Sequence, residues 1–174
     1  NFGPELRPIL GAQFVDCLAK IHTRDWSVPD LSTLDEPALG TQAVEWQLNW
    51  WERIWEEDVN EDIPLMRLTM AWLRENMPPV DHVSIVHGDY RIDNMIFATG
   101  GPRVKAVLDW ELSTLGDPLA DIGSTLAYWP SVGGPQLSAA PVELLDGFPD
   151  QATLAADYVE RTGRDPKALK YWHA

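Results

Sequence analysis

The hydrophobic pattern changes period near the middle of the chain, and that change limits the folds open to it. Residues 83–86 form a short apolar run, and residues 95–98 and 104–108 are two further β-prone runs. The last two are joined around Gly100-Gly101, which is typical of a β-hairpin. Because helical patterns flank this segment on both sides, we predict a predominantly helical α+β fold with a small hairpin at its centre.

Apolar residues recur at helical spacing on both sides of the hairpin. The predicted helices before it are residues 9–22, residues 41–59, and a shorter helix capped by Asp62 and ended by Pro78-Pro79. Those after it are a helix that Asp117-Pro118 begins, residues 150–161 with Gly163 as the C-terminal stop, and a last helix that begins at Asp165-Pro166. These starts and stops follow the preferences of helix termini. Residues 131–141 are predicted to form a loop.

The chain contains nine tryptophans, and four of them lie at helical spacing: Trp46, Trp50, Trp51 and Trp55. Large aromatic side chains dominate burial energetics. We therefore expect this group to pack between helices, with its more exposed members able to line a cleft. The following helix is expected to bury one apolar face, formed by Leu65, Leu68, Trp72 and Leu73.

Length and charge narrow the function classes. The 174 residues are enough for one domain, residues 1–174, with its own core. The formal net charge of −14 disfavours nonspecific nucleic-acid binding and an anionic membrane surface. It could suit a cationic substrate, although a role in solubility is the first explanation. No apolar run approaches the roughly 20 residues that span a bilayer, so we expect no membrane or nucleic-acid partner.

The single cysteine, Cys17, excludes an internal disulfide. This fits a cytoplasmic location, which we expect. The chain begins with Asn1 rather than Met and ends at Ala174 inside an apparent helix, so we expect it to be a piece of a longer protein.

The central motif combines residues suited to phosphoryl transfer. It reads His87-Gly88-Asp89, then four residues, then Asn94, with Asp109 after the hairpin. A loop of the form H-x-D-x-x-x-x-N followed by a metal-binding Asp is typical of kinases. Asp89 would orient a hydroxyl group, whereas Asn94 and Asp109 would bind Mg²⁺. These oxygen ligands leave positions open for water and phosphate, which suits Mg²⁺ better than zinc.

The hairpin provides a geometric reason for the metal site. Counting outward from its turn pairs Asn94 with Val107, and Asp109 then points to the same face as Val107. Diagonal neighbours on antiparallel strands lie roughly 7–8 Å apart, within reach of converging side chains. We therefore predict that Asn94 and Asp109 share one cation.

Four further residues are candidates for supporting roles. His87 ends a buried strand and is predicted to be a structural hydrogen-bonding residue rather than a base. Arg91 is suited equally to contact with phosphate or a substrate anion and to an ordinary ion pair. Glu111 could assist a second metal through water, although a solvated carboxylate is the simpler interpretation. Asp121 is first interpreted as an acid in the first turn of the following helix, and it could also support the central motif by accepting backbone hydrogen bonds.

These segments resemble the aminoglycoside phosphotransferase-like kinases, a family that includes choline kinases. The matching stretches read LAKIH at residues 18–22, SIVHGDYRIDNMIF at 84–97 and AVLDWELSTLGDPLADIG at 106–123. The last two look closest to the subgroup related to acyl-CoA dehydrogenase-linked kinase domains. The resemblance implies a protein-kinase-like fold of which this chain is the C-terminal lobe, with Asp89 catalytic and Asn94 and Asp109 binding Mg²⁺.

The small N-terminal lobe that this resemblance implies is not found in the sequence. Neither a G-x-G-x-x-G run nor a V-A-I-K-like strand is present. We therefore expect the nucleotide lobe of the same protein to be a missing partner, and the chain alone to be inactive.

The expected activity of the intact protein is ATP-dependent and Mg²⁺-dependent phosphotransfer to a hydroxyl group of a small molecule. One alternative is a pseudokinase-like module that binds a nucleotide or ligand without transfer. Another is a metal-dependent phosphoesterase, which would need a second metal site with His ligands. His22, His82 and His173 show no such spacing. The acceptor, which could be an aminoglycoside, a choline-like amine or a hydroxyacyl compound, and the oligomeric state stay open.

Overall fold

The computed structural model describes residues 3–28, 31, 33–129, 131, 133–134 and 145–173. Six α-helices and four short strands make up these parts of the chain, which confirms the predominantly helical α+β prediction. The helices are α1 (Arg7–His22), α2 (Gln42–Asp58), α3 (Pro64–Glu75), α4 (Leu119–Tyr128), α5 (Gln151–Thr162) and α6 (Leu169–His173). The strands are β1 (Ser84–Val86), β2 (Met95–Phe97), β3 (Val104–Val107) and β4 (Thr114–Gly116).

The strands form two separate antiparallel pairs. β2 and β3 form the predicted hairpin, whereas β1 pairs with β4, a strand that the sequence analysis did not predict. β4 has only three residues and no alternating pattern, so its sequence gave little indication of a strand. The β1–β4 pair connects the start of the catalytic motif to the start of α4, since Ser84 lies opposite Gly116.

The predicted register of the hairpin is wrong by one residue. Val107 pairs with Met95 rather than with Asn94, and the register shifts between Ile96 and Phe97. Asn94 instead accepts a hydrogen bond from the Leu108 N–H at 2.8 Å. The physical reason is a β-bulge, which places one extra residue on one strand. Asp109 therefore lies one residue beyond the position opposite Asn94.

Two hydrophobic clusters surround these strands. The first joins α1, α4 and α5 to the catalytic loop, and its largest members include Phe14, Tyr90, Ile122, Leu154 and Tyr158. The second joins α2 to the β1–β4 pair and to α6, and its members include Val44, Leu48, Ile85, Leu115 and Tyr171. The catalytic motif thus lies between two packed layers, which fix its backbone on both sides.

The predicted buried face of α3 is wrong for three of its four residues, because only Leu73 of the four packs against the core. Leu65 and Leu68 are 71% and 69% exposed, and Trp72 is 46% exposed. The helix contacts the second cluster through Met70 and Leu73, so its apolar stripe lies mostly on the outer side. The predicted cap is also wrong, because Ile63 occupies the N-cap position and makes no side-chain cap hydrogen bond. Asp62 forms an ion pair with Arg67 instead.

The expected packing of the α2 tryptophans is likewise wrong for three of the four residues. Trp46, Trp50 and Trp51 are 39%, 47% and 48% exposed. The buried residues of α2 are Ala43, Val44 and Leu48. Helical spacing identified the helix but not which side of it faces the core.

The helix termini after the hairpin lie at or next to the residues predicted from the sequence. Asp150 accepts a hydrogen bond from the Thr153 N–H at 2.8 Å, and Gly163 ends α5 with a φ of 68°. The start of α4 is shifted by one residue, since Pro118 occupies the N-cap position while Asp117 accepts the Leu119 N–H at 2.9 Å. The predicted loop at residues 131–141 lies almost entirely outside the described residues. Within the parts of the chain that are described, no helix has the length and apolarity needed to cross a bilayer.

Candidate active site

A glycine turn directs the chain from β1 into the catalytic motif. Gly88 has a φ of +85°, a backbone conformation that other residues rarely adopt. A Cβ atom at this position would lie 2.7 Å from the main-chain oxygen of Leu112 and 2.8 Å from its Cβ. The predicted need for glycine at this position is therefore confirmed. This tight turn places Asp89 at the surface of the core immediately after a fully buried strand.

Two neighbours in the same loop fix the carboxylate of Asp89. Asn94 Nδ2 donates to Oδ2 of Asp89 at 2.9 Å and to its main-chain oxygen at 2.8 Å. Arg91 Nε lies 3.0 Å from Oδ1 as an ion pair without hydrogen-bond geometry, so one carboxylate oxygen has a hydrogen bond and the other an ionic contact. The side chain of Asp89 is 23% exposed. Its carboxylate is thus held in one orientation while an edge of it still reaches solvent.

Arg91 forms the ion pair that was one of its two expected roles, and its partner is Asp89 itself. Its guanidinium also lies over the ring of Tyr128, 4.8 Å from the ring centroid. Stacking on an aromatic ring restricts the guanidinium plane and strengthens its placement. Arg91 therefore connects α4, which carries Tyr128, to the carboxylate of Asp89.

Asp109 has an unusual backbone conformation. Its φ of 66° and ψ of 56° place it in the left-handed region, where it is the single non-glycine example among the described residues. The neighbouring Leu108 fixes it, because the Leu108 N–H donates to Asn94 and its carbonyl accepts His87 Nε2 at 2.8 Å. Strained residues of this kind persist only where surrounding contacts impose them, and they concentrate at functional sites. The side chain of Asp109 is exposed.

The donor atoms near Asn94 fit a hard divalent cation. Because Nδ2 of Asn94 donates to Asp89, its Oδ1 is the atom that can ligate a metal. Together with the exposed carboxylate of Asp109 it would supply two oxygen ligands, the type that Mg²⁺ prefers. No group of three or more His, Cys, Asp and Glu side chains suited to a metal occurs among the residues that the structure describes.

His87 uses both of its ring nitrogens within the loop. Nε2 lies 2.8 Å from the carbonyl of Leu108, which requires Nε2 to carry the proton. Nδ1 then accepts the N–H of Asp89 at 3.3 Å. The side chain is fully buried, with the ring of Trp110 packed against it at 4.6 Å between centroids. These contacts confirm the structural hydrogen bonds expected of His87, and they connect the two ends of the motif.

Asp121 has both of the roles that the sequence left open, because it is a first-turn acid of α4 and also accepts backbone hydrogen bonds. Its Oδ2 accepts the His87 N–H at 2.7 Å and its Oδ1 accepts the Gly88 N–H at 2.8 Å. Asp121 lies in the first turn of α4 and is fully buried. Hydrogen bonds to a carboxylate are stronger than those between neutral groups. The start of α4 thus anchors the turn that presents Asp89.

Sequence reasoning missed two residues behind this anchor, His22 and Tyr158. His22 Nε2 lies 3.0 Å from Asp121 Oδ2, and its Nδ1 lies 2.7 Å from the hydroxyl of Tyr158. Burial raises the pKa of Tyr158, which keeps it protonated. The separations along the chain are 99 and 136 residues, so no local spacing could reveal these contacts. The one sequence feature that could have drawn attention to His22 was its position as a histidine at the end of the buried apolar stripe of α1.

A cleft of about 280 Å³ opens beside the turn at Gly88. Its lining includes Trp46, Trp50 and Trp51 from α2 together with Glu111 and Leu115. The exposed tryptophans thus line a cleft, the role that the sequence left open for the less buried members of the group. Glu111 is exposed and lies in this lining, where it is a solvated carboxylate in the structure.

The fold and the motif together are those of a kinase-like phosphotransferase. The sequence profile of the phosphotransferase enzyme family, abbreviated APH, matches residues 2–172. The chain belongs to this family. The resemblance inferred from residues 84–97 and 106–123 is therefore confirmed, and small-molecule phosphotransfer is the activity at the level of the family.

Relatives and solved structures agree with this assignment. Acyl-CoA dehydrogenase family member 11 of Rattus norvegicus is 32% identical over 173 residues, which cover 98% of this chain and 22% of that protein. A Ralstonia eutropha structure described as a candidate aminoglycoside phosphotransferase is 32% identical with a TM-score of 0.83, covering 99% of this chain and 53% of that one. A streptomycin–ATP complex of another aminoglycoside phosphotransferase is 17% identical with a TM-score of 0.50. The match covers 99% of this chain and 52% of that one. The chain spans about a fifth of the first relative and about half of each solved chain.

Proposed function

We propose that this chain is the acceptor-binding and metal-binding half of an enzyme that transfers the γ-phosphoryl group of ATP to a hydroxyl group of a small molecule, with Mg²⁺ as the cofactor. Membership of the phosphotransferase family supports the reaction class. ATP is supported by the bound nucleotide in the streptomycin–ATP complex of a protein with a similar fold. The oxygen ligands of Asn94 and Asp109 support Mg²⁺.

The single observation that carries the proposal is the environment of Asp89. A carboxylate that follows a buried strand, is fixed by Asn94 and Arg91, and keeps an exposed edge is suited to accept a hydrogen bond from an incoming hydroxyl group. Fixing the direction of that hydrogen bond aligns the oxygen with the phosphorus atom, and such positioning supplies a large part of the rate enhancement of phosphoryl transfer.

Each residue has a separate task in this mechanism. The acceptor hydroxyl group donates a hydrogen bond to Asp89, which takes up the proton as the acceptor oxygen bonds to the γ-phosphorus. The bond between the γ-phosphorus and the β–γ bridging oxygen breaks in the same transfer, and ADP leaves. Arg91 and the Nδ2 group of Asn94 keep the carboxylate in place during this step. Asn94 Oδ1 and the Asp109 carboxylate would hold the metal. When bound, Mg²⁺ would neutralise negative charge on the phosphate oxygens.

Residues outside this chain would complete the site. The 174 residues contain no G-x-G-x-x-G run and no V-A-I-K-like strand to bind the phosphates. The chain covers only 53% of the Ralstonia eutropha structure, which leaves room there for a second lobe. We therefore propose that the intact protein contains a nucleotide-binding lobe and that the activity requires both parts.

The acceptor is proposed to enter by the cleft beside Gly88. This cleft opens beside the turn that presents Asp89, and Trp46, Trp50 and Trp51 provide a broad apolar wall along it. Glu111 supplies one carboxylate, and no basic side chain belongs to the described lining. An acceptor whose negative charge would have to enter this cleft is disfavoured.

The test uses the full-length protein with ATP, Mg²⁺ and a panel of hydroxylated acceptors: aminoglycosides, choline-like amines and hydroxyacyl-CoA esters. ADP release and the mass of the phosphorylated acceptor are measured together. The proposal predicts one class of acceptor that gains a phosphoryl group in step with ADP, and no product after Mg²⁺ is chelated. ATP binding without transfer to any acceptor would support the pseudokinase alternative and contradict the proposal.

A matched pair of variants examines the metal site. Asp109→Asn removes one negative ligand and is expected to increase the Mg²⁺ concentration needed for half-maximal activity by about tenfold or more. Asp93→Asn makes the same change at an exposed residue in the loop before the hairpin. It is expected to leave the Mg²⁺ requirement within about twofold. Equal requirements in both variants would exclude Asp109 as a ligand.

A further inference from the structure

A continuous chain of hydrogen bonds runs from the core to the turn that presents Asp89. The Tyr158 hydroxyl contacts His22 Nδ1 at 2.7 Å, and His22 Nε2 contacts Asp121 Oδ2 at 3.0 Å. The same carboxylate accepts the N–H groups of His87 and Gly88. Tyr158 and His22 are each 1% exposed, and Asp121 is fully buried, so water does not compete for these contacts.

A neutral His22 between the Asp121 carboxylate and the Tyr158 phenol sets the direction of every donor. An ionised carboxylate only accepts hydrogen bonds, so His22 Nε2 carries the proton that points to Asp121. In the neutral imidazole, Nδ1 is then an acceptor, and the Tyr158 hydroxyl donates to it. Each ring nitrogen of His22 therefore has one task. Removing the hydroxyl of Tyr158 leaves Nδ1 buried without a donor, which loosens the imidazole that orients Asp121.

The main chain of His22 strengthens this connection. Its carbonyl accepts the Ser84 hydroxyl at 2.6 Å and the Arg164 guanidinium at 3.0 Å. Ser84 begins β1, the strand that leads into the catalytic loop. His22 thus contacts the loop by two routes, through the carboxylate of Asp121 and through the start of β1.

We propose that His22 and Tyr158 are positioning residues for phosphotransfer, and that they act through Asp121 on the turn that presents the Asp89 carboxylate. The inference rests on the proposed function for the reaction itself. The packing of an apolar core would hold the helices α1, α4 and α5 together, but it would not select one orientation of the Asp121 carboxylate. The hydrogen bonds do select it, and this orientation sets where the His87 and Gly88 amides lie.

The chain offers a closely matched pair of variants. Tyr158→Phe removes the hydroxyl that contacts His22 and keeps the ring that packs against it at 5.6 Å. Tyr171→Phe is the same substitution at another buried tyrosine, whose hydroxyl donates to the Leu73 carbonyl of α3 at 3.2 Å rather than to His22 or Asp121. Each variant removes one buried hydroxyl group and the hydrogen bond just described. They differ in whether that bond leads to Asp121.

Two variants at His22 provide a second comparison. His22→Gln retains a side-chain N–H that can donate to Asp121. His22→Leu fills the same space with an apolar side chain and has no hydrogen-bonding group. A positioning role predicts that Gln restores part of the activity that Leu loses. If His22→Leu fails to fold, Tyr158→Phe still decides the proposal.

The experiment measures transfer kinetics and amide exchange in the full-length protein. For Tyr158→Phe we expect kcat to fall about tenfold with KM for the acceptor within about twofold, because a tenfold rate loss corresponds to about one weakened hydrogen bond. Hydrogen exchange, followed by mass spectrometry in peptides that cover residues 84–91, should become about tenfold faster. Tyr171→Phe should change neither quantity by more than about twofold.

Equal exchange and equal kcat in the two Tyr→Phe variants would overturn the proposal. The exchange measurement needs no turnover, so it remains decisive even if the wild-type protein transfers no phosphate. In that case faster exchange at residues 84–91 in Tyr158→Phe alone would sustain the positioning role while the proposed function fails.

Discussion

The side-chain amide of Asn94 donates to Asp89 twice, to the carboxylate at 2.9 Å and to the main-chain oxygen at 2.8 Å. The proposed metal ligand and the proposed acceptor-orienting carboxylate are therefore one hydrogen-bonded unit. A change at either residue should affect both tasks, so the effects of the two substitutions are not expected to add.

Asn94→Asp tests this unit. Aspartate is as good a ligand for Mg²⁺ as asparagine, but it cannot donate to Asp89 and places a second negative charge next to it. We expect kcat to fall by about 100-fold in steady-state assays of the full-length protein, because small displacements of a positioning group can cost that much. Asn60→Asp, the same change at an exposed residue, should retain nearly full activity. Normal turnover by Asn94→Asp would show that the donated hydrogen bonds are dispensable.

Gly88→Ala tests the turn into the motif. Both Gly88 and Gly100 have positive φ values, so alanine is strained at each, by about 1–2 kcal/mol. Only at Gly88 would the new Cβ meet Leu112, whereas Gly100 faces open space. We expect Gly88→Ala to lower the free energy of unfolding by about 1–3 kcal/mol more than Gly100→Ala in urea titrations. Equal losses would mean that Leu112 moves aside at no cost.

Leu65→Ala tests the exposed face of α3. Leu65 is 71% exposed, whereas Leu48 of α2 is 7% exposed. The same substitution should therefore change the free energy of unfolding by about 0.5 kcal/mol or less at Leu65 and by about 2–5 kcal/mol at Leu48. Thermal and urea unfolding of both variants measure this difference. A large loss at Leu65 would indicate that this face is covered in the intact protein.

Two aspartates at helix starts should contribute to the pH dependence of stability with opposite signs. Burial raises the pKa of Asp117 above its usual 3.8, whereas hydrogen bonds from Thr153 lower the pKa of Asp150 below that value. The contribution of Asp117 is full below pH 3.8 and is lost as the pH rises through its folded-state pKa. The contribution of Asp150 is present above pH 3.8 and is lost as the pH falls through its folded-state pKa.

The measurement compares the free energy of unfolding of the wild-type protein with that of Asp117→Asn and of Asp150→Asn between about pH 3 and pH 6. The wild-type protein should lose stability relative to Asp117→Asn as the pH rises. In the lower part of this pH range, the wild-type protein should gain stability relative to Asp150→Asn as the pH rises. Slopes of the same sign would contradict the burial of Asp117.

The sequence predicted those parts of the site that are local along the chain. His87, Asp89 and Asn94 lie within eight residues of one another, so their order and spacing already define a loop. Asp117-Pro118 identified the start of the helix that carries Asp121, so the sequence indicated a first-turn acid there and offered the backbone hydrogen bonds as an additional role. The helix starts and the hairpin turn followed from single residues with strong conformational preferences.

The sequence did not predict features that depend on distant packing. The bulge in the hairpin is one extra residue in a continuous β-prone run, so the predicted register was wrong. The apolar stripes of α2 and α3 have correct helical spacing, but spacing does not reveal whether a neighbour covers each side. His22 and Tyr158 meet Asp121 only after α1, α4 and α5 have packed together.

The most direct test of the central claim is the rate of γ-phosphoryl transfer by the full-length Asp89→Asn protein. Asparagine keeps the size of the side chain but cannot accept the proton of the hydroxyl group. We predict that kcat falls by about 10²–10⁴-fold relative to the wild-type protein, while Asp93→Asn stays within about twofold and both variants unfold at the same temperature as the wild type. Transfer by Asp89→Asn at a rate close to that of Asp93→Asn would contradict the assignment of Asp89 as the catalytic carboxylate.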